Sequence, residues 1–369
     1  MYILNPKTKK GNQMKLSVII PAVLEYPLDV ITVFNIAEEL RDRVDFEIIY
    51  INNYCEEVKR QQVHRIINDF DLSIGNLTKE DKAKIKYLLK SDKTYGEIEE
   101  LVYPMVKNDR SCDALKAVQR GYPWLKVLEY SDKLSHWQSK NLAIKQSTGD
   151  ILCFVDAHCI ISRDALYNMF KYYEANHKEL NGSIHLPLTY HYHEFKQLVY
   201  KLVWDKEKSE IGYSFTGYRD TGQEVYEVPV MSTCGMMITK DMLVNDLGCW
   251  PVELGIYGGG ENFMNFTMAV LGKKKWIKSG LPLKHHGADR GYHWNFDNKL
   301  RNVCMANYIF GGFNFAEDAM RNNRGSEEQK QKIFDSVVEN KMINDHKDFI
   351  LKNKKMSIEK WAEEESNKK

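Results

Sequence analysis

Two short runs near the start of the chain, Leu16–Ala22 (LSVIIPA) and Phe46–Asn52 (FEIIYIN), are almost continuously apolar and rich in β-branched residues. Between them Val30, Val33, Phe34, Ala37 and Leu40 recur at helical spacing. A strand that is apolar on both faces must be covered on both, which an isolated hairpin cannot do. Strand–helix–strand with such runs is the pattern of a parallel sheet with crossover helices. It continues with a strand at Leu125–Glu129, a helix over residues 137–146, a strand over 151–155 and a helix over 163–175. The expected class is therefore α/β, a Rossmann-like, mostly parallel sheet with helices on both faces.

Residues 58–122 interrupt this alternation. The segment is too long and too helical for an ordinary connection, and reads as an inserted helical module. The expected organisation is a main domain of residues 15–57 and 123–313, the insert at 58–122, and a helical C-terminal extension at 314–369. That extension carries only a thin apolar stripe of Ile333, Val337 and Val338, and its last dozen residues are expected to fray.

The formal net charge of the 369-residue chain is +1, from 52 basic and 51 acidic residues, which excludes a basic field over the whole molecule. The seven cysteines are odd in number and form no C-x-x-C pair. This pattern argues against a disulfide framework or a zinc ribbon and fits a reducing compartment. The N-terminal stretch is broken by Lys and Gly, unlike a signal peptide, and no apolar run reaches the length of about 18 residues that a membrane helix needs. A cytoplasmic location is the expectation.

The chemistry concentrates in ILCFVDAHC, residues 151–159. A buried strand ends and at once presents Asp156 and His158, which share a side if extended geometry continues. Ligands of open α/β sheets bind at the carboxyl ends of strands. A carboxylate and an imidazole there suit a divalent cation that neutralises a diphosphate; alternatively, Asp156 caps the next helix and His158 is solvated.

VDAHC, the stretch from STCGMMITKDML to GIYGGGEN, and LSVIIPAVLEYP together resemble the GT-A glycosyltransferases, and among them the polypeptide N-acetylgalactosaminyltransferases. The resemblance covers residues 15–53 and 125–293. It implies a GT-A fold and a nucleotide-sugar donor, a UDP-sugar as in those relatives. It further implies that Asp156 and His158 bind Mn2+ or Mg2+ with the donor diphosphate. A His after the basic strand is the implied third ligand, with His286 as first choice and His285 as second. Glu261 and Asn262 would stand at the reacting sugar and acceptor, and the 258–260 glycines, Gly259 and Gly260 included, would let backbone approach the sugar. Pro21, Glu25 and Asn53 would face the nucleoside, Lys140 the phosphates, and Arg290 and Tyr292 would lie on a loop over the donor. The sequence departs from the family pattern where INNY replaces the acid common after the second strand.

The insert resembles the helix-turn-helix modules of DNA-associated proteins. Thr78 followed by Asp81 marks a cap, Ala83, Ile85, Leu88 and Leu89 form one face, and Leu115, Val118 and Gly121 keep a three-residue rhythm. The resemblance implies a third helix in the major groove, with Arg110, Ser111, Lys116, Gln119 and Arg120 at bases or phosphates. Residues 107–126 hold five basic and two acidic side chains. A transferase with such an insert points to a 5-hydroxymethylpyrimidine in phage duplex DNA as acceptor, in the host cytoplasm. The alternatives are a bacterial-type transferase acting on protein or surface polysaccharide with a purely structural insert, and a non-catalytic DNA-binding protein.

Overall fold

The computed structural model describes residues 13–190, 197–205, 210–217, 221–256, 259–287 and 291–368. The two apolar runs form β1 (Leu16–Ala22) and β2 (Phe46–Asn52), paired in parallel from Leu16 opposite Phe46 to Ala22 opposite Asn52. The crossover is α1 (Leu28–Leu40), whose Val33, Ile36, Ala37 and Leu40 are buried. After β2 come α2 (Glu56–Asp69), α3 (Lys79–Leu88), α4 (Tyr95–Val102) and α5 (Arg110–Val118). The alternation then resumes with β3 (Leu125–Glu129), α6 (His136–Gln146), β4 (Ile151–Phe154), β5 (Cys159–Ile161), α7 (Ala165–Leu180), β6 (Gly182–His185) and β7 (Leu188–Tyr190).

A hairpin follows, β8 (Gln197–Asp205) and β9 (Glu210–Gly217). Next are β10 (Val225–Glu227), β11 (Met236–Thr239), α8 (Gly260–Val270), β12 (Lys274–Lys278) and β13 (Leu283–His285). The C-terminal helices are α9 (Phe296–Gly311), α10 (Phe313–Asn322), α11 (Glu327–Val338), α12 (Lys341–Asn353) and α13 (Ile358–Asn367).

Among the described residues the main sheet has eight strands in the order β10-β12-β6-β11-β4-β1-β2-β3, and β5-β13-β7-β8-β9 form a second sheet. β1 lies between β4 and β2, parallel to both. The chain order reverses across β1, so the connections leaving β1 and β4 part and open a crevice at their carboxyl ends. All seven residues of β1 are buried, as expected for the centre of a sheet covered on both faces.

The insert differs from the three-helix module expected. Val63, Ile66 and Ile67 of α2, Ile85 and Leu88 of α3, and Ile98 and Val102 of α4 share a small core of their own with Met105 and Val106. Capping boxes start α3 at Thr78 with Asp81 and α4 at Thr94 with Glu97. α5 is not part of this module: Cys112 and Leu115 are buried in the core of the main domain. Ser111 is fully buried and donates to the Asp29 carboxylate at 2.6 Å. Lys116 bonds Glu129, and the Gln119 side-chain oxygen accepts the Val127 N–H at 3.2 Å. Three of the five side chains assigned to DNA are thus engaged within the fold, while Arg110 and Arg120 are exposed. The reason is the amphipathic face of α5, which covers the sheet instead of a groove.

The C-terminal extension is helical, as expected. Its apolar side chains, including Phe334, Ile343, Ile350 and Trp361, join the main core. α13 is docked rather than frayed, with Trp361 5% exposed. The lysines around β12 are tied in ion pairs: Lys273 to Asp246, Lys274 to Glu227 and Lys278 to Glu224. Lys275 is buried and donates to the Asn265 carbonyl.

Candidate active site

Asp156 follows β4 by two residues, and His158 leads directly into β5. β13 runs antiparallel to β5 with His285 opposite Cys159, which carries the His285 ring to the end of β4. His285 Nε2 stands 3.1 Å from His158 Nε2 and 3.3 Å from Asp156 Oδ2. One ligand atom from each of Asp156, His158 and His285 lies within 4.8 Å of the others. His286, the first choice from sequence, is outside this group; its backbone N–H donates to the His158 carbonyl.

A carboxylate and two imidazoles form a donor set that suits Mn2+ or Zn2+ class ions, and the set with further oxygen ligands fits manganese. The Glu25 carboxylate lies 3.2 Å from His158 Nδ1. An Nδ1–H donated to Glu25 leaves the Nε2 lone pair facing Asp156 and His285, the usual way a carboxylate fixes a ligating imidazole. Glu25 thus stands behind the His158 imidazole and also lines the cleft beside the triad. Burial works to raise the Asp156 carboxyl, but the His285 hydrogen bond and the charges of Lys140 and the histidines hold it well below the usual carboxylate range.

A cavity of about 1080 Å³ opens from this triad, and Asp156, His285, Lys140, Glu261 and Asn262 all line it. Glu261 lies in the first turn of α8, where a helix N-terminus favours negative charge. It is half-buried, accepts a 2.8 Å hydrogen bond from the Tyr213 hydroxyl and a longer one, 3.5 Å, from Ser232. Burial pushes its carboxyl up, reinforced by the Asp156 charge and opposed by Tyr213, Lys140 and Ser232. The buried Oδ1 of Asn262 has no hydrogen-bond partner among the described residues, so the cavity wall presents an unsatisfied acceptor.

Lys140, on α6, is buried with its ammonium 4.6 Å from the Trp137 ring centre and 3.4 Å from the Thr233 hydroxyl. Pro21, Glu25, Asn53, His158 and Tyr292 line a smaller cleft beside the triad. Asn53 lines that cleft while its amide donates to the Tyr130 and Lys133 carbonyls and its oxygen accepts the Ser135 N–H. It shapes the loop before α6. Tyr292 lines both cavities and is 7% exposed. Arg290 and Gly258 lie outside the described residues.

The two described glycines before Glu261 have packing reasons. Gly259 has φ of +72° and a Cβ there would come within 2.7 Å of the Asn302 Cβ. A Cβ on Gly260 would sit 2.1 Å from the Trp137 ring. Packing against Asn302 and Trp137 thus requires both glycines, and Gly259 also lines the large cavity.

Sequence reasoning missed the second sheet's share of the site. Tyr190 of β7, Tyr200 of β8 and Tyr213 of β9 line the large cavity. Tyr200 and Tyr213 stack in parallel at 4.5 Å between ring centres. The available signal is the alternation of large apolar side chains with polar or smaller ones along β8 (Leu198, Tyr200, Leu202, Trp204), which marks a strand with one covered face.

Residues 85–243 match the family described as glycosyl transferase family 2. The crystal structure of GalNAc-T7 with UDP, GalNAc and Mn2+ superposes with a TM-score of 0.59 at 14% identity, covering 97% of this chain and 57% of that one. The fold is GT-A. This chain therefore spans little more than half the length of that relative. S. aureus TarS 1-349 with UDP-GlcNAc aligns with a TM-score of 0.47 at 11% identity, over 88% of this chain and 72% of that one. No curated protein matches the chain by sequence.

Proposed function

We propose that this chain is a metal-dependent glycosyltransferase that moves a sugar from a nucleotide-sugar donor, a UDP-sugar, to a hydroxyl acceptor. The observation that carries the reading is one cavity lined both by metal-capable Asp156 and His285, with His158 beside them, and by Glu261 and Asn262. The match to glycosyl transferase family 2 and the GT-A fold support it.

Asp156, His158 and His285 would hold the cation, which when bound supplies positive charge to the diphosphate leaving group. Lys140 adds a fixed positive charge from beneath the cavity. Asn262 offers its unsatisfied oxygen to a sugar or acceptor hydroxyl. Glu261 accepts the proton of the acceptor hydroxyl as that oxygen attacks the anomeric carbon and the nucleoside diphosphate departs. Its raised pKa makes it a stronger base than an exposed carboxylate.

The DNA-base acceptor rested on α5 as a groove-reading helix, and it loses that support with Ser111, Lys116 and Gln119 engaged inside the fold. A saccharide or protein hydroxyl meets the same chemistry. Among the described residues no helix is long and apolar enough to cross a membrane.

The test is a panel of nucleotide sugars with Mn2+ against saccharides, peptides, and unmodified or 5-hydroxymethylated duplex DNA, read by mass spectrometry. Mn2+-dependent release of nucleoside diphosphate that disappears in Asp156→Ala is expected. Metal-independent turnover, or full activity in Asp156→Ala, refutes the reading.

A further inference from the structure

Beside the large cavity lies a second one of about 410 Å³, between the helical insert and the β1–α1 loop. Arg65 and Gly291 line both cavities, so the two adjoin. Among the described residues its charged lining is Arg65, Lys82, Lys107 and Arg110 against one carboxylate, Asp109. That carboxylate is turned into the fold: it is 2% exposed and accepts the backbone N–H groups of Leu24 and Ser111 at 2.5 and 3.0 Å. The acids that pair with the cations, Asp71 with Arg65 at 2.7 Å and Asp81 with Lys107 at 3.9 Å, are not part of the lining. Arg110 is exposed, its guanidinium 5.3 Å from the ring centre of Tyr26, which is itself 47% exposed.

The four cations come from separate elements. Arg65 lies on α2 and Lys82 on α3, Lys107 on the segment returning from the insert, and Arg110 on the first turn of α5. The insert's own core orders its helices, so two of these charges are presented from rigid supports. A concave wall of one sign focuses potential and raises the local concentration of counter-charge. Arginine forks and lysine ammonium groups are the donors that suit phosphate oxygens.

We infer that this cavity binds a phosphate group carried by the acceptor, and that the insert exists to complete its cationic wall. On the transferase reading the triad and Lys140 would partner the donor's diphosphate, which leaves the four cations alongside for a different phosphate. Giving it to the acceptor rests on the transferase reading; the affinity for phosphate does not.

The experiment measures binding to the full chain by calorimetry, with inorganic phosphate and with a short DNA oligonucleotide as probes. Saturating UDP and Mn2+ are present to occupy the donor site. Wild type is compared with Lys82→Glu/Arg110→Glu, neither residue being part of the transfer site. Circular dichroism and thermal melts verify folding, and donor hydrolysis is followed in parallel. Expected are one-site binding in wild type despite UDP, at least a tenfold loss in the double variant, and an unchanged rate of donor hydrolysis. Oligonucleotide bound more tightly than phosphate, with a salt dependence that flattens in the variant, identifies a phosphodiester chain as the source. Equal affinity for the two identifies a single phosphate group. No binding with UDP present, or equal binding in wild type and variant, overturns the site. Absence of donor hydrolysis in wild type refutes the transferase reading instead, and leaves the phosphate measurement to decide the cavity.

Discussion

Replacing Tyr213 with Phe removes one hydroxyl and keeps the ring that stacks on Tyr200 at 4.5 Å. The hydroxyl donates to Glu261 Oε2 at 2.8 Å. A hydrogen bond to a charged group contributes about 1.5–3 kcal/mol. Glu261 is only half-buried and retains Ser232 at 3.5 Å, so the lower end applies. About 1.4 kcal/mol corresponds to one pKa unit. The sign follows from the protonation state stabilised: the Tyr213 hydroxyl favours the ionised carboxylate, so its loss raises a pKa that burial has already raised. Glu261 acts as a base only when ionised. The acidic limb of the kcat/KM profile should therefore move by about one unit to higher pH, with activity on that limb falling about tenfold. Well above the limb the plateau should stay within a few-fold of wild type. The assay is donor consumption from acidic to mildly alkaline pH, with melting curves verifying the fold. An unmoved limb, or a plateau that collapses while the limb stays in place, refutes Glu261 as a base held by Tyr213.

His285→Ala should abolish tight Mn2+ binding, while His286→Ala should leave it within a few-fold, as read by electron paramagnetic resonance titration; the reverse order would show that the antiparallel register of β13 on β5 is wrong. Glu25→Gln should weaken Mn2+ affinity by roughly 10–100-fold, the usual cost of losing the carboxylate behind a ligating imidazole. Equal affinity would mean that Glu25 does not orient His158. Gly260→Ala, which drives a Cβ to 2.1 Å from the Trp137 ring, should lose about 1–3 kcal/mol in denaturant unfolding. Trp361→Ala should cost about 3–5 kcal/mol if α13 is docked as described, and an unchanged midpoint would return the terminus to a frayed tail.

Local pattern carried much of the fold because β1, β2 and β4 are covered on both faces and their apolar runs are continuous. Asp156 and His158 were legible for the same reason, since both follow one strand end. Glu261 and Asn262 came from family resemblance. α5 was misassigned because its apolar rhythm specifies a buried face without saying what covers it. The same holds for the C-terminal helices, whose stripe looks thin until α9 and α8 are packed against it.

The sequence by itself determined the parallel strands β1 to β4, the crossover helices, the interruption between β2 and β3, and a carboxylate and imidazole at the end of β4. Only the tertiary structure decided that His285 rather than His286 completes the triad, that Tyr213 reaches Glu261, and that α5 belongs to the main core. Each depends on a register or packing choice between segments far apart in the chain. A one-residue slip of β13 on β5 would turn the other histidine inward, and no local periodicity encodes which alignment buries more apolar surface.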